Sequence, residues 1–360
     1  MSTGDSSISN RRDFFRSVAG AATGMYVAGR GANAIAQAPA ARRQATIAGR
    51  RVRVVDVHAH TNIPIVDVVK GTPFEKQAAG NPGLEQRLVA MDTQGLDIQA
   101  LSINGFWWYE IKDRGLARAV CNAQNEGLAQ WVKKYPDRFV AMASVPLQFP
   151  DLAAEILQDA VTRLGARGTT LGGHVSGEDL SLPKFDPFWG KAAEMGELVF
   201  MHPGGADNIM REGAWRGRAD LGNIMGNPLE TTYFLSRLIF DGVFDRHPRL
   251  RVCGAHAGGY LPSYFGRTEV ACDVRGNANC ANKKRPKEYL RSQILVDTMV
   301  FSEEGLRHLV AEMGVSQVVF GTDIPFNWPV NVDLVVDSKT LSNADKEAIL
   351  GGNLIRLLKL

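Results

Sequence analysis

The sequence predicts an α/β protein, a (β/α)8 TIM barrel of the kind found in metal-dependent hydrolases, with eight parallel strands. Short β-branched, apolar runs alternate with helical patterns from about residue 51 to the end of the chain. There are eight such runs, and none leads into the glycine-rich loop of a dinucleotide-binding sheet. The chain has 360 residues, which is enough for one barrel with insertions.

The predicted strands are short apolar runs that end in polar or small residues. They comprise residues 52–57, 98–103, 138–145, 168–173, 198–202, 250–256, 294–297 and 318–323. Helices are predicted at 84–95, 113–134, 151–165, 186–195, 228–240, 302–313 and from 343 onward. Asp151 and Ser302 are predicted to cap two of them, because their side chains can accept from free backbone N–H groups. The segments 204–227 and 272–287 are predicted to be loop insertions.

The first 38 residues have the composition of an export signal, and 51–360 form the predicted barrel domain. Arg11-Arg12 precedes two phenylalanines and an uncharged stretch rich in small residues, and Ala36-Gln37-Ala38 fits a cleavage site. The arginine pair resembles a twin-arginine (Tat) signal, which implies the Tat export machinery as a partner and a folded protein in the periplasm or outside the cell. The alternative is an amphipathic helix with a chance Arg-Arg pair. Residues 39–50 are predicted to be a flexible linker.

Charge and cysteine content limit the functional classes. The net charge is +3, of which the first 38 residues carry +2 (four arginines against two aspartates), so the body carries only +1. We therefore expect no nucleic-acid partner. Cys272 and Cys280 lie close together in a polar segment and are able to pair in an exported protein, but their spacing does not decide this.

Four histidines and one aspartate fall at the ends of predicted strands. They are His58 and His60 after the first strand, His202 after the fifth, His256 after the sixth and Asp323 after the eighth. Barrel enzymes carry their catalytic groups at these ends, so the five side chains should converge at one mouth of the barrel. Imidazoles with a carboxylate suit Zn²⁺, and also Mn²⁺ or Fe²⁺. The alternative is a set of separate, hydrogen-bonded core histidines.

These motifs resemble the amidohydrolase superfamily, in the branch of aminocarboxymuconate-semialdehyde decarboxylase and the resorcylate-type decarboxylases. The motifs are Asp56-x-His58-x-His60, His202-Pro203, Ala255-His256-Ala257-Gly258-Gly259 and Gly321-Thr322-Asp323-x-Pro325-Phe326. The resemblance implies that His58, His60, His202 and Asp323 hold a divalent ion, Zn²⁺ with Mn²⁺ as the alternative. It also implies that His256 and Asp323 are catalytic. The fourth strand ends without the lysine that bridges two metals in binuclear relatives, which predicts one ion.

The predicted activity is a mononuclear, metal-dependent decarboxylation of a small unsaturated or aromatic carboxylic acid. The alternative is hydrolysis of a lactone, an amide or a related ester, because the same metal ligands serve both reactions. A non-catalytic metal-binding protein is less consistent with the presence of His256.

Four residues are predicted to contact the substrate. Phe326 and Arg267 follow from the resemblance, which implies that Arg267 reaches a carboxylate across a homodimer interface; the alternative is an exposed helix arginine. Trp107 and Trp108 lie after the second strand and would form an aromatic wall, or else cap the barrel core. Residues 61–83 lack the arginine with which aminocarboxymuconate decarboxylases grip a carboxylate.

Overall fold

A computed structural model describes residues 42–80, 83–211, 213–329 and 332–360. The predicted export signal therefore lies outside the described residues, and so do residues 39–41 of the predicted linker. The described part contains no helix long and apolar enough to cross a membrane.

Eight parallel strands form the closed barrel that the sequence predicts. An antiparallel hairpin of β1 (Ala45–Ile47) and β2 (Arg50–Val52) precedes it. The later strands are β3 (Val55–Thr61), β4 (Ile98–Ile103), β5 (Phe139–Ala141), β6 (Gly168–Leu171), β7 (His174–Val175), β8 (Glu178–Asp179), β9 (Leu198–Met201), β10 (Arg251–Gly254), β11 (Ile294–Asp297) and β12 (Val318–Val319). Strands β7 and β8 form a small separate hairpin. The sheets β3-β4-β5 and β6-β9-β10-β11-β12 are joined by parallel bridges from Ala143 to Thr169 and from Ala59 to Ile324, which close the ring.

Helices follow most of the barrel strands. The longer ones are Leu84–Gln94, Arg114–Lys134, Pro150–Thr162, Asp186–Met195, Asn227–Phe240, Phe265–Val274 and Glu303–Met313, and the C-terminal ones are Asn343–Glu347 and Asn353–Leu357. Ser302 caps its helix as predicted, accepting from the Gly305 amide at 3.1 Å. Asp151 does not cap: its helix begins at Pro150, whose ring presets the helical φ angle, so Asp151 lies inside the first turn.

Two apolar layers hold the barrel together. One cluster contains Val57, Ala100, Phe200, Cys253 and Leu295, which lie on different strands around the barrel. Because side chains from different sides of the barrel pack together in it, this cluster fills the interior. The Phe200 ring contacts the His58 ring at 5.0 Å between centroids, so the interior packing continues into the histidine cluster. The larger second cluster packs the outer faces of the strands against the helices.

The structure corrects the prediction near the N-terminal end of the barrel. Residues 45–52, part of which we expected to be a flexible linker, form the hairpin β1–β2, with Ala45 and Ile47 buried in the core. Burial of these apolar side chains stabilises the hairpin enough to offset the conformational entropy that is lost when the segment becomes ordered. The first barrel strand accordingly begins later than predicted, at Val55, and continues through His58 and His60.

The structure also pairs Cys272 with Cys280, which the sequence left open. The disulfide joins the helix Phe265–Val274 to the loop that follows it, with the two Cα atoms 6.2 Å apart. The other two cysteines, Cys121 and Cys253, are free and buried. The bonded pair closes a loop in one of the two predicted insertions.

Candidate metal centre and active site

The four predicted ligands meet at the C-terminal mouth of the barrel. His58 and His60 lie in β3, His202 follows β9, and Asp323 follows β12. One potential ligand atom from each lies within 4.8 Å of all the others. The Nε2 atoms of His58 and His60 are 3.0 Å apart, and each lies 3.0 Å from Oδ1 of Asp323. Nε2 of His202 lies 3.9 Å from the same oxygen.

This arrangement fits a bound cation better than a hydrogen-bonded cluster. Both ring nitrogens of His202 are buried without a hydrogen-bond partner. Burial keeps the pKa of His202 well below its ordinary value, and burial likewise lowers the pKa of His60 to about 4. Both rings are therefore neutral, as metal ligation requires. Three imidazole nitrogens and one carboxylate are a donor set for Zn²⁺, Mn²⁺ or Fe²⁺.

His58 is held by a second carboxylate. Its Nδ1 lies 2.8 Å from Oδ2 of Asp297, the last residue of β11, and both side chains are completely buried. Burial opposes protonation of His58, but the nearby carboxylates of Asp323 and Asp297 outweigh it and raise its pKa to about 10. In the neutral ring, a proton on Nδ1 donated to Asp297 leaves the Nε2 lone pair free for the ion. The sequence offered a signal for this residue, because Asp297 ends a correctly predicted strand, yet it was assigned no role.

The same carboxylate shapes the turn that carries His256. Asp297 accepts from the amides of His256 at 3.0 Å, Ala257 at 2.8 Å and Met299 at 3.1 Å. His256 and Ala257 both have left-handed backbone conformations, with φ of 55° and 56°. Such strain persists only where the surroundings enforce it, and here buried hydrogen bonds to a charged acceptor do so.

His256 stands at the edge of the cluster. Its Nε2 lies 3.6 Å from Oδ2 of Asp323, which is beyond a hydrogen bond but within the reach of a small movement or a bridging atom. Its ring centroid is 5.1 Å from those of both His58 and His202. The side chain is 16% exposed, against 4% for that of Asp323, so His256 is the member of the pair that faces the pocket.

A buried polar network lies next to the proposed metal ligands. Oδ2 of Asp56 accepts from the Thr322 hydroxyl at 2.7 Å and from Gln99 Nε2 at 2.9 Å. Arg87, buried on the helix after β3, donates to Gln99 at 3.0 Å and to the carbonyl of His60. Arg87 is thus directed at the backbone of a ligand, so it does not replace the missing substrate-gripping arginine. Periodicity placed Arg87 on a helix but did not reveal its partner.

Close approach of the strands requires glycine at Gly321. A Cβ atom there would lie 2.8 Å from Cβ of Asp297 and 2.9 Å from Cβ of His58. Both neighbours are backbone-proximal atoms of buried residues, so neither can move aside. The glycine of the Gly-Thr-Asp motif thus lets the segment after β12 pack directly against the proposed ligand His58 and its partner Asp297.

A buried glutamate holds the loop after His202. Glu230, 1% exposed, accepts from the amides of Gly173 at 3.1 Å, Gly204 at 2.9 Å, Gly205 at 2.8 Å and Ala206 at 2.7 Å. Four amides converging on one carboxylate fix the backbone that follows His202. Nothing in the spacing of Glu230 on its helix predicted this contact.

Comparison with known proteins decides the family. The Amidohydrolase family profile matches residues 55–360. The chain belongs to this family. It is 34% identical over 285 residues to 2-amino-3-carboxymuconate-6-semialdehyde decarboxylase from Dictyostelium discoideum, covering 76% of each chain.

Two solved structures of similar proteins share the fold over nearly their full length. A 2,6-dihydroxybenzoate decarboxylase complexed with 2,6-dihydroxybenzoate superposes with a TM-score of 0.74 at 29% identity, covering 86% of this chain and 99% of that one. A dihydroxybenzoic acid decarboxylase from Polaromonas sp. JS666, with bound manganese and the inhibitor 2-nitroresorcinol, gives a TM-score of 0.73 at 25% identity, covering 86% and 97%.

These findings confirm the predicted superfamily, its decarboxylase branch and the barrel fold. They also support the first of the two predicted activities: the chain is a metal-dependent decarboxylase. The alternative of separate core histidines is wrong, because one ligand atom from each of His58, His60, His202 and Asp323 lies within 4.8 Å of all the others.

The predicted substrate contacts of this amidohydrolase lie in different environments. Phe326 is 41% exposed beside the metal site, with its ring 6.1 Å from that of His60. Trp107 is half-buried and stacks on Phe74, with ring centroids 5.7 Å apart. Arg267 is exposed on its helix and makes no ion pair or hydrogen bond within the described chain.

Trp108 is a core residue, which is the second of the two positions that the sequence left open for it. Its side chain is completely buried, and its indole nitrogen donates to the carbonyl of Val145 at 3.0 Å. The pair lies in a short 3-10 turn, Trp107–Glu110, which points neighbouring side chains in different directions. One tryptophan therefore enters the core and the other stays near the surface.

Proposed function

We propose that this decarboxylase acts on a hydroxybenzoate, an aromatic acid with a hydroxyl group beside its carboxylate, using one divalent ion. The observation that carries the proposal is the buried set of three histidines and Asp323 with His256 beside it. The dihydroxybenzoate decarboxylases with the same fold support this substrate class. We propose His58, His60, His202 and Asp323 as the ligands.

When bound, the ion would supply positive charge to the carboxylate and phenolic oxygens of the acid. The chain supplies the proton. Loss of CO2 breaks the bond between the ring carbon and the carboxyl carbon, and a proton must add to that ring carbon. Oδ2 of Asp323 points towards His256, 3.6 Å away, and away from the ligand nitrogens. We assign the delivery of the proton to this Asp323–His256 pair, since a positioned acid contributes about 10²–10⁴-fold to a rate.

The identity of the ion remains part of the proposal. Zn²⁺ is our first choice because three nitrogens and one carboxylate match its preferred ligands. Mn²⁺ is the competing choice, since a similar decarboxylase was crystallised with manganese. Elemental analysis of the purified chain, followed by chelation and reloading with each metal, distinguishes them. We expect about one ion per chain and CO2 release from 2,6-dihydroxybenzoate that chelation abolishes. Two ions per chain, or full activity after chelation, would refute the mononuclear mechanism.

We propose export of the folded protein by the twin-arginine route to the periplasm or beyond. The Arg11-Arg12 pair motivates this proposal, and the Cys272–Cys280 disulfide supports it because such bonds persist in oxidising compartments. Replacing both arginines by lysine should retain the full-length protein in the cytoplasm in a fractionation assay. Unchanged export of this variant would contradict the proposal.

A homodimer is the last part of the proposal. The helix Phe265–Val274 presents Arg267 to solvent, next to Tyr264, which is 67% exposed, and Val274, which is 68% exposed. A second copy would cover this surface. Analytical ultracentrifugation should give twice the chain mass, and a monomer at micromolar concentration would refute it.

A further inference from the structure

A cavity of about 400 Å³ opens beside His256. Its walls come from the start of the helix Asn227–Phe240, the turn after β10, the loop after β11 and the helix Glu303–Met313. None of the four proposed ligands lines it, nor do Phe326 and Trp107. His256 belongs to both places, because its Nε2 faces Asp323 while the residue forms part of the cavity wall. The volume lies within the range of small-molecule pockets.

The walls of this cavity are mainly apolar. Leu309 and Met299 contribute buried aliphatic surface. Phe301 and Trp328 lie together on one wall, with ring centroids 5.6 Å apart. The cavity-lining residues that the structure describes include no lysine, arginine, aspartate or glutamate. Such walls favour a neutral, flat group over a charged one, because an unpaired charge loses its hydration there.

The polar side chains in these walls are few. Besides His256 they are Asn223, Asn227, Tyr260, Ser263 and His308. His308 is half-buried in the middle of its helix, and no hydrogen bond or ion pair holds its imidazole within the described part of the chain. On the same helix, Glu304 is already paired with Arg307 at 2.6 Å. His308 therefore has an imidazole free to donate to or accept from a bound group.

We propose that this cavity binds a neutral extension of the substrate, a second ring or a substituent of similar size carrying a hydroxyl or carbonyl, and that His308 contacts its polar atom. This inference rests on the proposed function, because the acid would lie at the metal centre with its ring beside His256, and the extension would then reach the cavity that His256 also lines. The inference implies a substrate larger than a simple hydroxybenzoate. His308 is then a specificity-determining residue remote from the reacting carbon.

Binding of unreactive probes to the metal-loaded full chain tests this inference without any need for turnover. A nitro group has the planar shape of a carboxylate but cannot lose CO2. Titration calorimetry would compare 2-nitrophenol with 2-nitro-4-phenylphenol and 2-nitro-5-phenylphenol. We expect one phenyl isomer to bind about 10–100-fold more tightly than 2-nitrophenol, the range for fully burying a group of phenylalanine size. The proposal is overturned if neither phenyl isomer binds more tightly than 2-nitrophenol, or if no probe binds at all.

Two matched variants place the extra affinity in the cavity. His308→Trp fills the cavity from its helix, while Arg307→Trp adds the same bulk one residue earlier, on the exposed side. We expect His308→Trp to remove the phenyl advantage and to leave 2-nitrophenol within about two-fold, and Arg307→Trp to change neither. Retention of the advantage in His308→Trp refutes the assignment. If that variant does not fold, His308→Ala is used instead. The probe that carries a 4-hydroxyphenyl group should then no longer bind more tightly than the probe that carries a phenyl group. Failure of the proposed function would appear separately, as no CO2 release from any hydroxybenzoate.

Discussion

Replacing Asp297 by asparagine should weaken metal binding although Asp297 is not a proposed ligand. The carboxylate receives His58 Nδ1 at 2.8 Å and the His256 amide at 3.0 Å on one oxygen, and the amides of Ala257 and Met299 on the other. All four contacts are donors, so the NH2 of asparagine must face two N–H groups in either orientation. If it faces His58, the ring must move its proton to Nε2, the atom that binds the ion.

The magnitude follows from these contacts. Loss of a partner that orients a metal-binding histidine costs about 10–100-fold in metal affinity. That corresponds to about 1.4–2.8 kcal/mol. Disruption of the hydrogen bonds to a completely buried carboxylate should also lower the free energy of unfolding by about 1.5–3 kcal/mol. Activity should return at excess metal, because the proposed ligands themselves are intact.

A competition titration with a chromogenic chelator measures the metal Kd, and urea unfolding measures stability. Asp97→Asn is the matched control, since Asp97 is 7% exposed and accepts from the Val54 amide at 2.7 Å at the opposite end of the barrel. The control should lose stability and keep its metal Kd within about two-fold. A metal Kd for Asp297→Asn within two-fold of the wild type would refute the role assigned to this carboxylate.

Three further outcomes follow from the site. His256→Asn should lower kcat by about 10²–10⁴-fold in a CO2-release assay and leave the metal content at its wild-type value; unchanged kcat would contradict its role in proton transfer. Arg87→Met removes charged hydrogen bonds to Gln99 and the His60 carbonyl, and should reduce stability by about 1.5–3 kcal/mol in urea unfolding, whereas an unchanged midpoint would mean that this network contributes nothing. Trp108→Phe should lower the melting temperature while leaving KM unchanged, because this ring packs in the core; a shift in KM without loss of stability would restore Trp108 to the pocket.

Much of the barrel was predictable because its signals are local. The strands 98–103 and 294–297 and the helix 186–195 were predicted with their observed bounds, and the other strands differ at one or both ends. The largest error, the hairpin at 45–52, arose where polar composition suggested a linker while two alternate side chains are buried. Strand ends are hard to predict, because pairing with neighbouring strands decides where hydrogen bonding stops.

The candidate site was also predictable only in part. The sequence alone determined which residues meet at the barrel mouth, because strand alternation places His58 and His60 on one face and parallel strands end together. It did not reveal how those residues are held, since the partners lie far apart in the chain. Asp297 is 239 residues from His58, and Thr322 is 266 residues from Asp56. Only tertiary packing brings such donors and acceptors together, and only packing decided that Trp108 is buried and that His308, in the middle of a helix, faces a cavity beside His256.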